Sequence, residues 1–399
     1  MNDIVVVSAV RTALGTIGGS LKSIQPEKLL AAALEGAIAQ SGAAKEYIDE
    51  VICGQAKQST DQPNIARLTS LIIGIPEAVP AYTVHRQCAS GLQAILSGMQ
   101  QIMCGESDVI LCGGVESMST APFYIRNARF GVGNGNGVFV DPNIESQPKS
   151  QPNDIYGTFN MIQTADNVAK QFGISRGECD VFALQSQRRA IAAIDSGTFE
   201  EEIVPVTIPQ RKKDPVIFKT DEFPKRDTNE EKMAKLKPIF EGGVTTAGNA
   251  SGRNDGAAAV LIMSAQKAEE LNVKPIARII AGCAAGVDPR IMGMGPVAAI
   301  AKLMKKPAMN GISIDDFDLI ELNEAFAAQS LGCIKELGLD QSKTNVNGGA
   351  IALGHPLGCS GARITVTLLH EMQRRKSKYG LAIICVAGGL GMAMAFERL

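Results

Sequence analysis

The sequence predicts an α/β protein, duplicated, with an irregular insertion between its halves. Three observations carry this. Short apolar runs such as Ile4-Val5-Val6-Val7 and Val109-Ile110-Leu111-Cys112 alternate with stretches whose apolar residues recur every three or four positions. The last third repeats the first: Asp49 and Asp318 open matching runs 269 residues apart, and Ser90 and Ser360 open matching helices 270 apart. Between about 121 and 247 the regular texture gives way to glycine, proline and charge.

Taken in order, residues 4–8 read as a strand and Arg11 to Ser23 as a loop. Pro26 to Gln40 reads as a helix, with Leu29, Leu30, Leu34 and Ile38 on one face. A short buried strand follows over 51–55, then a helix from Asn64 to Ile73. Ala81 to Val84 is a strand that leads to Cys88, and Leu92, Ile95, Leu96, Met99 and Met103 mark the helix after it. Residues 107–114 read as a strand ending in a glycine turn at Gly113-Gly114. Inside the insertion, Thr164 to Phe172 and Arg176 to Ser196 read as helices, and 205–240 is charged and punctuated by proline. A strand resumes over 257–263. The expected units are 1–120 with 248–271 as one half, 121–247 as a cap, and 272–399 as the second half.

Composition excludes several classes. A net charge of −2 and a pI of about 6.1 leave no broad surface for nucleic acid. The absence of Trp and a count of only 5 Tyr leave few platforms for stacking bases. Nine cysteines without a single CxxC pair suggest neither a zinc site nor a disulfide framework, and point to a reducing compartment. No signal-peptide pattern precedes the first strand, and no apolar run has transmembrane length. A cytoplasmic location with no membrane partner is therefore expected. No pair among His85, His355 and His370 has metal-ligand spacing.

Four loops could carry chemistry. Cys88 stands just before Ser-Gly at a helix start, where free backbone N–H groups and the helix dipole favour a thiolate. Asn323 follows a strand, where it could serve the site or cap the next helix. His355 lies in a loop with Gly348, Gly349, Gly354, Gly358 and Gly361, which implies close backbone approach. Cys385 ends the most hydrophobic strand of the second half; a lone cysteine there would read as core. Duplicated halves would bring such strand-end loops face to face.

Together these loops resemble the thiolase family, in its acetyl-CoA acetyltransferase branch. The matching pieces are Cys88-Ala89-Ser90-Gly91, Asn323-Glu324-Ala325-Phe326, Gly354-His355-Pro356 and Cys385-Val386-Ala387-Gly388-Gly389. Gly113 to Ser119, Ala247 to Gly252 and Met292 to Pro296 also match, in family order along essentially the whole chain. The resemblance implies a five-layer αβαβα fold whose insertion holds coenzyme A, and a homotetramer with part of 121–140 in the tetramer contact. It implies reversible condensation of two acetyl-CoA molecules to acetoacetyl-CoA and coenzyme A. No cofactor is expected, since coenzyme A thioesters are the substrates. Cys88 would be the nucleophile, activated by His355, and Cys385 the base. Asn323, through a water, and His355 would hold the enolate oxygen; the N–H groups of Cys88 and Ala387 would hold the acyl oxygen. Met161, Lys225, Gly248, Ser251, Met292 and Phe326 would meet substrate or coenzyme A.

The sequence departs from the family pattern in places. His85 stands where Asn is usual, and Ala387 where Gly is usual, which raises the question of a positive φ there. Asn160 replaces a frequent His, Lys225 a common Arg, and Arg253 an apolar residue. Rival readings are a degradative 3-ketoacyl-CoA thiolase for longer chains, a non-catalytic scaffold subunit and a ketoacyl synthase. The scaffold would be expected to lose Cys88 or His355, and the synthase would need a second histidine near Asn323.

Overall fold

The computed structural model describes residues 3–399. Among the described residues, nine strands form the main path of an eleven-stranded central sheet: β1 (Ile4–Thr12), β2 (Glu50–Gly54), β3 (Ala81–Val84), β4 (Val109–Ser117), β5 (Asn254–Ser264), β6 (Ala277–Gly286), β7 (Leu319–Leu322), β8 (Tyr379–Val386) and β9 (Leu390–Arg398). Their spatial order is β7-β8-β9-β6-β1-β5-β4-β2-β3. Within the sheet the halves join where β1 pairs with β6, through Val5 with Arg278 and Val6 with Ala277. Within each half the pattern repeats. β2 and β4 are parallel and β4 and β5 antiparallel; β7 and β8 are parallel and β8 and β9 antiparallel. The parallel bridge of Thr344 to Ile320 stands in the place that β3 holds beside β2.

Eight longer helices complete the layers: α1 (Pro26–Ser41), α2 (Ile65–Ile72), α3 (Ser90–Cys104), α4 (Met161–Phe172), α5 (Arg176–Asp195), α6 (Gly295–Leu303), α7 (Ala327–Leu337) and α8 (Leu357–Arg375). Helices α1 and α2 cover the outer face of one half-sheet. The outer face of the other is covered by α4, α5, α6 and α7. Between the half-sheets lie α3 and α8, whose Leu92, Ile95, Ala362 and Val366 share one core. Five layers result. A helix apolar or buried nearly all round needs neighbours on every side, and α8 is buried almost continuously from Gly358 to Met372.

The duplication extends to single hydrogen bonds. The Asp49 carboxylate accepts the N–H groups of Asp108 and Val109, both at 2.8 Å. Asp318 accepts those of Lys378 and Tyr379 at 2.7 and 3.0 Å. At the pseudo-twofold axis, a side chain at Gly91 would come 2.8 Å from the N of Ala362, and one at Gly361 would come 2.4 Å from the N of Leu92. Only glycine allows α3 and α8 to approach so closely.

Two elements differ from the sequence expectation. Strand β1 runs on through Arg11 and Thr12, which were expected in a loop. Arg11 is fully buried: its guanidinium meets Asp221 at 2.8 and 2.9 Å and Glu202 at 2.6 Å, and lies 4.9 Å from the Phe199 ring. Burial disfavours its charge, but the two carboxylates outweigh that and raise its pKa. Breaking such a buried pair costs about 3–5 kcal/mol. Likewise Gly113 and Gly114 make no turn, because β4 continues to Ser117. A side chain at Gly114 would strike the carbonyl of Gly358 at 2.3 Å, so glycine serves close packing there.

Candidate active site

Cys88 sits in the turn between β3 and α3. That turn is stitched by Ser90, whose hydroxyl donates to Gln87 O at 2.6 Å and accepts the Arg86 N–H at 2.9 Å. Gln87 takes a left-handed φ of 45°, which costs a side-chain-bearing residue about 1 kcal/mol. The Cys88 thiol is half-buried. Its pKa is raised by burial, with the Ala387 N–H, Lys57 and its own N–H acting the other way. The expectation of a resting thiolate is therefore corrected: desolvation outweighs the helix terminus. A thiol in this setting needs a base to take its proton before it can serve as a nucleophile.

His355 supplies a neutral imidazole. Burial first, then the Arg363 charge, lowers its pKa to about 3. Its Nδ1 lies 2.6 Å from Ser360 Oγ, which also donates to Pro356 O at 2.8 Å. The single hydroxyl proton is committed to that carbonyl, so Ser360 accepts from Nδ1–H. The lone pair is thereby left on Nε2. The His355 backbone N–H is held by Asn254 Oδ1 at 3.0 Å.

Asn323 is fully buried, with its Nδ2 at 3.5 Å from His355 Nε2. It caps no helix, since α7 starts at Ala327 with Phe326 as its flanking residue. Its Oδ1 has no partner within the protein. A buried acceptor left open costs about 1–3 kcal/mol, so this oxygen suits a bound water or a donor on substrate.

Cys385 is 1% exposed at the end of β8, packed with Met292, Ala325, Phe326 and Met161. Its pKa is raised well above the ordinary thiol value, by burial and then by the facing Cys88 sulfur. Ala387 follows, and the question of its φ is settled by its neighbours. The left-handed residues are Gly388 (88°) and Gly389 (80°), where a side chain would meet Ser150 O at 2.8 Å and Val287 O at 2.3 Å. Alanine fits at 387 without strain.

Other sequence candidates fall in two groups. Met161, Met292 and Phe326 gather around Cys385, and Ser251 is tied beside them by its N–H to Ala325 O at 3.0 Å. Gly248 instead packs against Met233 and Leu236, and Lys225 is exposed, with Nζ 4.8 Å from the Phe223 ring centroid. Among the departures, Asn160 caps α4 by accepting from Gln163 N at 3.1 Å, while His85 and Arg253 are exposed. His370 is structural, at 2.8 Å from Ala9 O.

Sequence reasoning missed three supporting residues. Ser360 orients His355. Glu116 is fully buried and accepts from Ala56, Lys57 and Gly358, at 3.0, 3.0 and 2.9 Å, clamping two site loops together. Lys57 lies buried at the end of β2. A charged residue close behind a short apolar run, 51–53 for Lys57 and 109–112 for Glu116, was the available signal.

Two duplicated α/β halves, each contributing a thiol that faces the other, and a neutral histidine set against a buried amide, form the layout of an enzyme that moves acyl groups between sulfur atoms. The family models for the thiolase N-terminal domain and the thiolase C-terminal domain match residues 4–266 and 273–398. The chain belongs to the thiolase family and is an acyltransferase. It is 48% identical to an acetyl-CoA acetyltransferase of Cupriavidus necator, across 100% of both chains. The crystal structure of the Bacillus anthracis acetyl-CoA acetyltransferase superposes with a TM-score of 0.96 at 46% identity, covering 100% of this chain and 99% of that one. Human mitochondrial 3-ketoacyl-CoA thiolase gives 0.94 at 43% identity, with 100% and 99% covered. No helix among the described residues is long and apolar enough to cross a membrane.

Proposed function

We propose that this thiolase catalyses the reversible condensation of two acetyl-CoA molecules to acetoacetyl-CoA and coenzyme A. The observation that supports it most is that the Cys88 and Cys385 thiols face each other while His355, its Nδ1 turned to Ser360, carries its lone pair on Nε2. His355 takes the Cys88 proton as the sulfur attacks the first thioester. The departing coenzyme A thiolate takes a proton from Cys385, which is protonated at rest because of its burial. Acetyl-Cys88 and a Cys385 thiolate remain. That thiolate removes a proton from the α-carbon of the second acetyl-CoA. The enolate attacks the acetyl carbonyl, a carbon–carbon bond forms, and Cys88 leaves and recovers its proton from His355. Two easier steps replace one hard one.

Enolate charge needs donors already in place in a site that excludes water. His355 and a water on the open Oδ1 of Asn323 suit that role, and the Cys88 and Ala387 N–H groups suit the acyl oxygen. Met161, Met292 and Phe326 leave a short acyl pocket, with Ser251 and Gly248 along the pantetheine arm and Lys225 at the nucleotide end. In this reading the segment 121–247 is the cap that holds coenzyme A, the enzyme works in the cytoplasm as a homotetramer, and it needs no cofactor.

Likeness to a 3-ketoacyl-CoA thiolase favours a second reading, cleavage of longer chains. Thiolysis rates for acetoacetyl-CoA beside C6 and C10 3-ketoacyl-CoA decide between them. The first reading expects activity concentrated on acetoacetyl-CoA; a kcat/KM rising with chain length overturns it.

A further inference from the structure

Lys57 lies outside every motif used above, yet the fold carries it to the nucleophile. Strands β2 and β3 are parallel neighbours, with Gly54 registered on Val84. Their chains leave the sheet side by side, Lys57 three residues beyond one strand end and Cys88 four beyond the other. The loop at 55–57 has no freedom to swing away. The Gln55 N–H bonds to Val84 O at 3.2 Å, and a side chain at Gly54 would strike the Ser90 carbonyl carbon at 2.2 Å. On its other flank, a side chain at Gly358, in the first turn after His355, would meet Gln55 Cα at 2.7 Å. Lys57 is thus wedged between the Cys88 turn and the His355 loop.

Its side chain is 8% exposed. Lysines are almost never so buried unless paired. Among the described residues the ammonium has one hydrogen-bond partner, the Ser146 hydroxyl, and forms no ion pair. Two of its three donors therefore have no protein acceptor. Ser146 belongs to the segment covering the site: Ser150 Oγ donates to Ser146 O at 2.9 Å, and Ser150 O borders Gly388 next to Ala387.

We propose that Lys57, held by Ser146, is a positioning residue that stabilises the thiolate of Cys88. This rests on the reading of Cys88 as nucleophile. Charges on every neighbouring element enter the balance. Glu116 from β4 opposes the thiolate, Lys57 favours it, and the Cys385 sulfur from β8 faces it. Burial presses Lys57 toward neutrality, while Glu116, Cys88 and Asp141 hold its proton on; His85 senses the Lys57 charge. A cation at this place offsets the desolvation that otherwise keeps Cys88 protonated, and so eases proton transfer to His355.

The test is the pH dependence of Cys88 alkylation by iodoacetamide, read on the Cys88 peptide by mass spectrometry. Lys57→Met keeps the length and removes the charge. Its alkylation curve should move to higher pH, with labelling near neutrality slowed about tenfold, as befits loss of a nearby opposite charge. Lys57→Arg should restore most of the wild-type curve, which a purely structural role would not require. Where the methionine variant does not accumulate, Lys57→Gln removes the same charge. An unchanged curve in the neutral variants overturns the proposal. Failure of acetyl-CoA to acetylate Cys88 in the wild-type enzyme instead overturns the nucleophile reading beneath it.

Discussion

Removing the Ser360 hydroxyl should disarm His355 while leaving every acyl-contacting side chain in place. Ser360 Oγ accepts a hydrogen bond from Nδ1–H at 2.6 Å and donates one to Pro356 O at 2.8 Å. In Ser360→Ala the buried Nδ1–H loses its acceptor, at about 1–3 kcal/mol for an unmet buried donor. The tautomer with the proton on Nε2 then becomes competitive, and that form cannot take the Cys88 proton. Since 1.4 kcal/mol is tenfold in rate, acetylation of Cys88 should slow by about 10- to 100-fold. Rapid-quench acetyl-enzyme formation measures this directly. The KM for acetyl-CoA should change little, because Ser360 sits behind the imidazole. Acetylation at the wild-type rate in a folded Ser360→Ala enzyme would refute the assignment of Nε2 as the base.

Three further predictions follow from packing and charge. Gly91→Ala sets a methyl 2.8 Å from the Ala362 N and 3.0 Å from Gly358 O, so thermal unfolding should show a loss of at least about 1–3 kcal/mol. Lys225→Ala removes an exposed side chain placed by the proposal at the nucleotide end of coenzyme A, and should raise the KM for acetyl-CoA with kcat nearly unchanged; unaltered kinetics would take Lys225 out of the site. The pKa of His355 is lowered to about 3 by burial, so the unfolded chain binds its proton first as pH falls. Stability carried by the neutral ring is complete above about pH 6.5 and is lost toward pH 3, at about 1.4 kcal/mol per pH unit. Denaturant unfolding of wild type minus His355→Gln should show that slope, and a flat difference would contradict it. Glu321, raised to about 8 by burial, acts in the opposite sense in both proteins and cancels in the difference.

The site was legible in the sequence where local pattern and function coincide. Cys88, Asn323 and Cys385 sit at or near a strand end and His355 in a glycine-rich loop before a helix, and the Asp49/Asp318 repeat already placed the two halves in correspondence. Contacts between residues far apart in the chain were not legible. Arg11 looks like loop because its partners, Glu202 and Asp221, lie about two hundred positions away. Gly113-Gly114 looks like a turn because the loop it packs against begins near His355. The thiolate expected at Cys88 failed for a related reason: a helix N-terminus is visible in sequence, whereas the depth of burial that opposes it is not.

The central claim is a division of labour between the two thiols, and separating their steps tests it most directly. Acetyl-enzyme formation, acetoacetyl-CoA production and exchange of acetyl-CoA α-hydrogens with deuterated water are to be measured in Cys88→Ala and Cys385→Ser. Cys88→Ala should lose acylation and condensation. Cys385→Ser should still accept acetyl on Cys88, more slowly, because coenzyme A leaves as a thiolate without help. A serine hydroxyl is far too weak a base to replace the thiolate, so condensation and exchange should fall by about 10²–10⁴-fold. If Cys385→Ser condenses near the wild-type rate, or loses acylation as completely as Cys88→Ala, the two sulfurs do not divide the work in this way.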